Sequence, residues 1–233
     1  MTARTRRLLW PGLMTAAMLI VLLGLGTWQV QRLHWKEALL GQIDLAETAP
    51  PVPFTGTPAP FAKISVTGTF LPDKTALYGA DVRDIASGPE MGARLIEALR
   101  MANNEMILVD RGWVPLSRPG PIDQPGGVVT VSGYVRFGDR PGWFSAANDV
   151  VERRFFTLDP PAIGAAMNEP KIPNFVLVAL APASETAASR WPEPAHRLPR
   201  PPNNHLSYAI TWYGLAMALL AIFIVWAKRG SRA

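Results

Sequence analysis

Two stretches of the chain, residues 8–28 and 206–227, carry no charged side chain, and the sequence between them alternates on a much shorter scale. A helix rises about 1.5 Å per residue, so about 20 apolar residues cross the hydrocarbon of a bilayer. Both stretches reach that length and are predicted to be transmembrane helices. A cleaved signal peptide is the competing reading of the first. Its apolar run exceeds an ordinary h-region and no small-x-small site precedes the next helix-like stretch, which favours an uncleaved anchor. Helical spacing continues past the first stretch, with Leu33, Leu40, Ile43 and Ala46 near one face, so that helix is predicted to run on into the aqueous side. It stops at Pro50, Pro51, Pro53, Pro58 and Pro60, which lack the amide protons a helix needs. A second proline tract, WPEPAHRLPRPP, precedes the second apolar stretch.

Between the two tracts the period changes to two. Residues 61–70 alternate Ile64, Val66 and Phe70 with polar positions, and 92–101, 105–114, 127–137 and 174–181 are short β-branched runs bounded by glycine, asparagine or proline. Most connections are too brief for repeated β-α-β crossovers, so an antiparallel sheet or small barrel is expected. The exception is DPPAIGAAMNEP, where Asp159 can cap and Pro160 and Pro161 can open a short helix. The predicted class is membrane α plus mainly β: two transmembrane helices flanking one extracytoplasmic antiparallel sheet or small barrel with minor helix. The expected layout is a cytoplasmic tip (1–7), transmembrane helix 1 (8–28), a helical extension and Pro-rich linker (29–60), the β-rich domain (61–190), a second linker (191–205), transmembrane helix 2 (206–227) and a cytoplasmic tail (228–233).

The formal net charge of +5 raises nucleic acid as a partner until its location is considered. Arg4, Arg6, Arg7, Lys228, Arg229 and Arg232 flank the apolar stretches, and setting these six of the 23 basic residues aside leaves 17 against 18 acidic ones. No basic groove for phosphates remains, and nucleic acid is not an expected partner. The basic tips place both termini in the cytoplasm and the middle section outside. At the first span Arg4, Arg6 and Arg7 outweigh Arg32 and Lys36, whereas at the second Arg190, Arg197 and Arg200 balance the tail, so the first span and even parity decide. The chain has no cysteine, which suits an oxidising compartment and excludes thiolate metal sites, iron–sulfur clusters and the C-x-x-C-H attachment motif.

Motifs for catalysis are absent: no G-x-S-x-G, H-E-x-x-H, G-x-x-x-x-G-K or G-x-G-x-x-G follows a predicted strand. Of three histidines, His34 and His205 abut the spans and His196 lies in a proline tract, so an enzyme is not expected. His205 is the candidate metal ligand, following Asn203 and Asn204, either of which can cap the second helix. His205, Tyr208, Trp212 and Tyr213 recur at three, seven and eight residues, an aromatic stripe that suits a large flat macrocycle. The same stripe also reads as an aromatic belt at the lipid headgroups, with His205 an ordinary polar cap. On the first helix Trp28, Arg32 and Trp35 share one face, and Gly24, Thr27, Gln31 and His34 lie near another that is small or polar and suited to a neighbouring helix. Arginine suits a carboxylate in a bidentate fork, while Trp28 and Lys36 also suit interfacial anchoring. In mid-chain, Arg111, Gly112 and Trp113 sit where a strand enters a turn, with Gly112 suited to a bulge and Trp113 to packing on the sheet.

Four separated blocks in order, WQVQRLHWKEALL, ILVDRGWVP, GYVRFGDRPGWFSAAND and NNHLSYAITWYGLA, together resemble the Surfeit locus protein family of cytochrome c oxidase assembly factors. The resemblance implies a multi-pass protein of the bacterial inner membrane with a periplasmic central domain. It implies help in delivering haem a to the catalytic subunit of the oxidase, with that subunit, a haem a synthase and membrane lipids as partners. It also implies that His205 is the axial ligand, and Trp28, Gln29, Arg32, Trp35, Arg111, Gly112, Trp113, Asn204, Tyr208, Trp212 and Tyr213 match recurring positions. Ligation by both His34 and His205 is a further option, although His34 is not a recurring position. After Asn148 and Asp149 the family usually reaches a tryptophan, where this chain reads VVERRFFTLD, leaving Phe155 or Phe156 to fill the space. Three functions compete: a haem chaperone, a scaffold that holds an oxidase intermediate without haem, and a doubly anchored periplasmic hydrolase.

Overall fold

The computed structural model describes residues 3–85, 88–117, 120–140, 142–143, 145–182 and 191–229, without the side chains of 3–7. The predicted tip arginines Arg4, Arg6 and Arg7, together with Arg190 and Arg232, therefore lie outside what is described. The chain divides into two compact units, Met1–Gln42 with Arg200–Ala233, and Ile43–Pro199.

The first unit holds most of helix α1 (Ala3–Thr48) and all of α3 (His205–Arg229). Both are long and apolar enough to cross a membrane. Only 6% and 11% of their apolar windows is buried, which separates them from the core helices of a soluble protein. Ile20, Met217, Ile210 and Ile222 all stand outward. Such all-round apolarity is unfavourable in water and fits a membrane protein. One narrow seam joins the helices: Leu22, Gly26 and Gln29 on α1, and Ala209 and Ala216 on α3, are buried at helical spacing. Small side chains there let the backbones approach.

The second unit is built on strands β1 (Val52–Pro53), β2 (Lys63–Ile85), β3 (Gly88–Met101), β4 (Met106–Pro115), β5 (Val129–Phe137), β6 (Arg154–Phe155) and β7 (Phe175–Ala179). The order β1-β2-β3-β4-β7-β5 closes on itself because β2 also pairs with β5, giving a five-stranded barrel. Long β2 serves two neighbours, with Lys63–Gly68 facing β5 and Gly68–Ile85 facing β3. Contrary to the antiparallel expectation, the sheet is mixed: β4 and β7 are parallel, as are β1 and β6 with β2. The reason is parity, because alternating directions around a closed ring of five strands must leave one like-directed pair, here β4–β7.

Alternation along the strands turns Ile64, Val66, Phe70, Leu99, Ile107, Val109, Val135, Phe175 and Leu177 into one core cluster. The predicted short helix is α2 (Pro160–Ala166), opened by its prolines and capped by Asp159, whose Oδ1 accepts the Ala162 N–H at 3.1 Å. Phe155 is fully buried and Phe156 lies exposed under Arg154. Neither proline tract is a free linker. The first supplies β1, and the second bridges Trp191 to Ile122, Glu193 to Trp113 and Ala195 to Leu180. Proline, which donates no ladder hydrogen bond, is confined to such edge positions. The compact unit consequently extends to Ile43 and Pro199, beyond the 61–190 read from periodicity.

Candidate functional site

Helix α3 starts where the asparagines are. Asn203 Oδ1 accepts the His205 backbone N–H, and the Asn204 carbonyl accepts the Tyr208 N–H. This start holds the His205 ring at the seam between the helices, where His205 Nδ1–H donates to Gln29 Oε1 at 2.7 Å. An amide oxygen only accepts, so the bond puts a proton on Nδ1, and of the two neutral tautomers it selects the one whose lone pair is on Nε2. Gln29 is itself buried, and an acceptor on the second ring nitrogen is the arrangement that orients an imidazole where it binds a metal.

Further along the seam Tyr213 lies over Gly26, where an added Cβ would come within 2.8 Å of the phenol ring. Its hydroxyl meets Thr27 Oγ1 at 3.2 Å. Trp212 is half-buried and Tyr208 is 55% exposed, so two of the three stripe aromatics keep ring surface available beside His205. On α1, Arg32 stands 5.7 Å from the ring centroids of both Trp28 and Trp35, which are themselves exposed. Among the described residues no carboxylate pairs with Arg32. Its charge is held by two aromatic faces, a placement that keeps the guanidinium edge free for an anion.

Of the face expected to meet a neighbouring helix, Thr27 touches α3 through Tyr213, whereas Gly24 has open space where a Cβ would stand and Gln31 and His34 are exposed. The buried positions of the seam are Leu22, Gly26 and Gln29, at i, i+4 and i+7, where small Gly26 and apolar Leu22 pack closely and carry Gln29 in with them. His34 pairs with Glu37 at 3.5 Å and does not join His205. The pairing of Gln29 with His205 went unassigned in the sequence. Its signals were a polar amide at the end of the charge-free stretch and its match to a recurring position of the resembled family.

The barrel carries a second polar arrangement. Arg111 Nη1 donates to Glu97 Oε2 at 2.7 Å, and its Nη2 donates to the Asp123 carbonyl, with the guanidinium 4.8 Å from the Phe70 ring centroid. Both charges are buried, and burial pushes the Glu97 carboxyl above its ordinary range against the opposing pull of Arg111. Gly112 makes the expected bulge at φ +132°, and a Cβ there would meet the Glu193 carbonyl oxygen at 2.0 Å. Trp113 is fully buried, packs edge-on against Trp191 at 5.3 Å and donates from Nε1 to the Asp81 carbonyl. These residues tie strands, loop and proline strap together, which is a structural role. Among the described residues no group of three or more histidine, aspartate or glutamate side chains gathers as a metal cluster.

The helix pair therefore offers one oriented imidazole at the seam, partly exposed aromatic rings on the same helix and, on α1, an arginine between two indoles. The chemistry of those residues fits an iron macrocycle with carboxylate substituents.

A sequence profile of the SURF1 family matches residues 16–217. A SURF1-like protein of Monosiga brevicollis is 32% identical, over 91% of this chain and 85% of its own. A SURF1-like protein of Rickettsia felis is 28% identical, over 89% of this chain and 92% of its own. Surfeit locus protein 1 of Mus musculus is 27% identical, over 84% of this chain and 68% of its own.

Proposed function

The chain belongs to the SURF1 family, and from that premise we propose that it is a non-catalytic cytochrome c oxidase assembly factor that holds haem a in transit to the oxidase catalytic subunit. The observation that carries this reading is the Gln29–His205 hydrogen bond, which engages Nδ1 and makes Nε2 the ring nitrogen left for a metal. His205 would hold the iron, Tyr208 and Trp212 would flank the ring, Tyr213 would brace α3 against Gly26 and Thr27, and Arg32 between Trp28 and Trp35 would meet the carboxylates. When bound, the group supplies the redox-active iron that the finished oxidase needs; the chain supplies only binding and orientation. A single protein ligand suits a carrier, since the macrocycle must leave again. A haem a synthase is the proposed donor. The proposed setting is the bacterial inner membrane, with both termini cytoplasmic and the barrel in the periplasm.

The test is purification of the full chain from cells that make haem a. Wild type is expected to carry a Soret band that His205→Ala loses, and deletion in the native host is expected to lower haem a per oxidase. Full retention of the band with unchanged redox behaviour in His205→Ala would remove the ligand assignment. Co-purification of the oxidase subunit without haem at any stage would leave the scaffold reading in its place.

A further inference from the structure

The barrel presents a site independent of the helix seam. At one of its ends the β3–β4 turn, the segment after β1, the end of β5 and the approach to β7 surround an open cavity of about 1070 Å³. Its apolar side comprises Phe54, Phe137, Phe175, Met101, Ile107 and Ile172. Ile107 and Phe175 also belong to the barrel core, so the cavity continues the core to the surface. Cavities of about 300–1,000 Å³ take small ligands, and the mouths of barrels are a usual place for them. Apolar surface of this kind left in water is unfavourable, and an occupant would cover it.

The geometry narrows the occupant. Phe175 stands between the other rings, with centroids 5.8 Å from Phe54 and 6.2 Å from Phe137, and the ring planes are tilted by 56° and 59°. Phe175 is parallel to neither neighbour, so it forms with neither the parallel walls that a flat aromatic ligand would stack between, whereas an alkyl chain bends to fit tilted rings. The rim then specifies the head. Glu169 is paired with Lys74 at 3.3 Å, and Glu105 Oε2 accepts the Asn103 amide at 2.8 Å. Lys171, also on the lining, has no ion pair or hydrogen bond among the described residues. An ammonium beside an apolar slot complements a carboxylate at the end of a chain.

We propose that the barrel mouth binds a long-chain fatty acid, its alkyl chain along Phe54, Phe175 and Phe137 and its carboxylate at Lys171. The experiment uses membranes containing the full chain, palmitate bearing a diazirine near the chain end, irradiation, and mass-spectrometric mapping of labelled peptides. Label is expected on peptides covering 101–107 and 170–175, displaced by excess palmitate. It is expected to fall roughly tenfold in Lys171→Glu and to persist in Lys171→Arg. Lys171 is exposed, so neither substitution disturbs the core. Label confined to the two helices would overturn the proposal, as would label in the cavity undiminished by Lys171→Glu. A photoactivatable phosphatidylcholine that labels the same peptides without competition from free palmitate would assign the cavity to bilayer lipid and overturn it equally.

Discussion

Replacing Gln29 by leucine keeps the helix and nearly keeps the volume while deleting the acceptor for His205 Nδ1–H. The bond is 2.7 Å long and Gln29 is 9% exposed, so water does not readily substitute for the lost oxygen. A neutral hydrogen bond contributes about 0.5–1.5 kcal/mol net, and stranding a shielded donor costs about 1–3 kcal/mol. Together with the lost orientation, this predicts that haem affinity falls about tenfold to a hundredfold in Gln29→Leu. Gln29→Glu is expected to bind at least as well as wild type and to lower the reduction potential of the bound iron. A carboxylate accepts Nδ1–H more strongly and makes Nε2 a better donor to the oxidised metal. The assay is titration of the full chain in detergent with haem, followed by the Soret band, with redox potentiometry on the complexes. If Gln29→Leu bound like wild type while His205→Ala did not bind, the amide would have no orienting role and the argument from the seam would fail.

Gly112→Ala should lower stability by more than about 3 kcal/mol, because a left-handed φ and a backbone carbonyl in the Cβ position cannot both be relieved by side-chain motion. Thermal unfolding should show it as a loss of about 6 °C or more, and a smaller shift would mean that the 191–195 strap yields easily. Arg111→Met leaves Glu97 buried without its partner and should cost about 3–5 kcal/mol by denaturant titration at neutral pH; an unchanged midpoint would contradict a buried pair. Glu97 has a folded-state pKa above its ordinary 4.5, so the folded protein binds the extra proton between the two values. Stability should therefore fall as pH rises from about 4.5 through the raised value, and Glu97→Gln should flatten that slope; an identical pH profile in the variant would refute it. Gly26→Ala should destabilise the helix pair by pressing on Tyr213, and adding Tyr213→Ala should recover most of the loss, whereas simple additivity would place the cause elsewhere.

Much of the architecture could be read without coordinates, and each legible part has a local cause. Charge-free runs stood out because bilayer hydrocarbon sets a minimum length, and the strands stood out because a half-buried sheet repeats every two residues. The start of α2 was legible because the Asp159 cap and the prolines after it act within one turn. The bulge at Gly112 was legible because glycine tolerates what other residues do not.

Pairing across long distances was not legible. That β2 bonds to both β3 and β5, that β4 and β7 run parallel, and that the proline tracts edge the barrel follow from closing a ring of five strands, a condition on the whole domain. The partner of His205 lies 176 residues away, and it is Gln29 instead of a residue from the polar row, because the closest packing of the helices puts Leu22 and Gly26 at the seam and carries Gln29 in with them. Sequence determined which residue types were available and roughly where the long helices, the main strands and α2 lie, since those depend on neighbours within a few positions. Only the tertiary structure decided which of them meet, because packing two helices or closing a barrel selects one register from several of similar local energy.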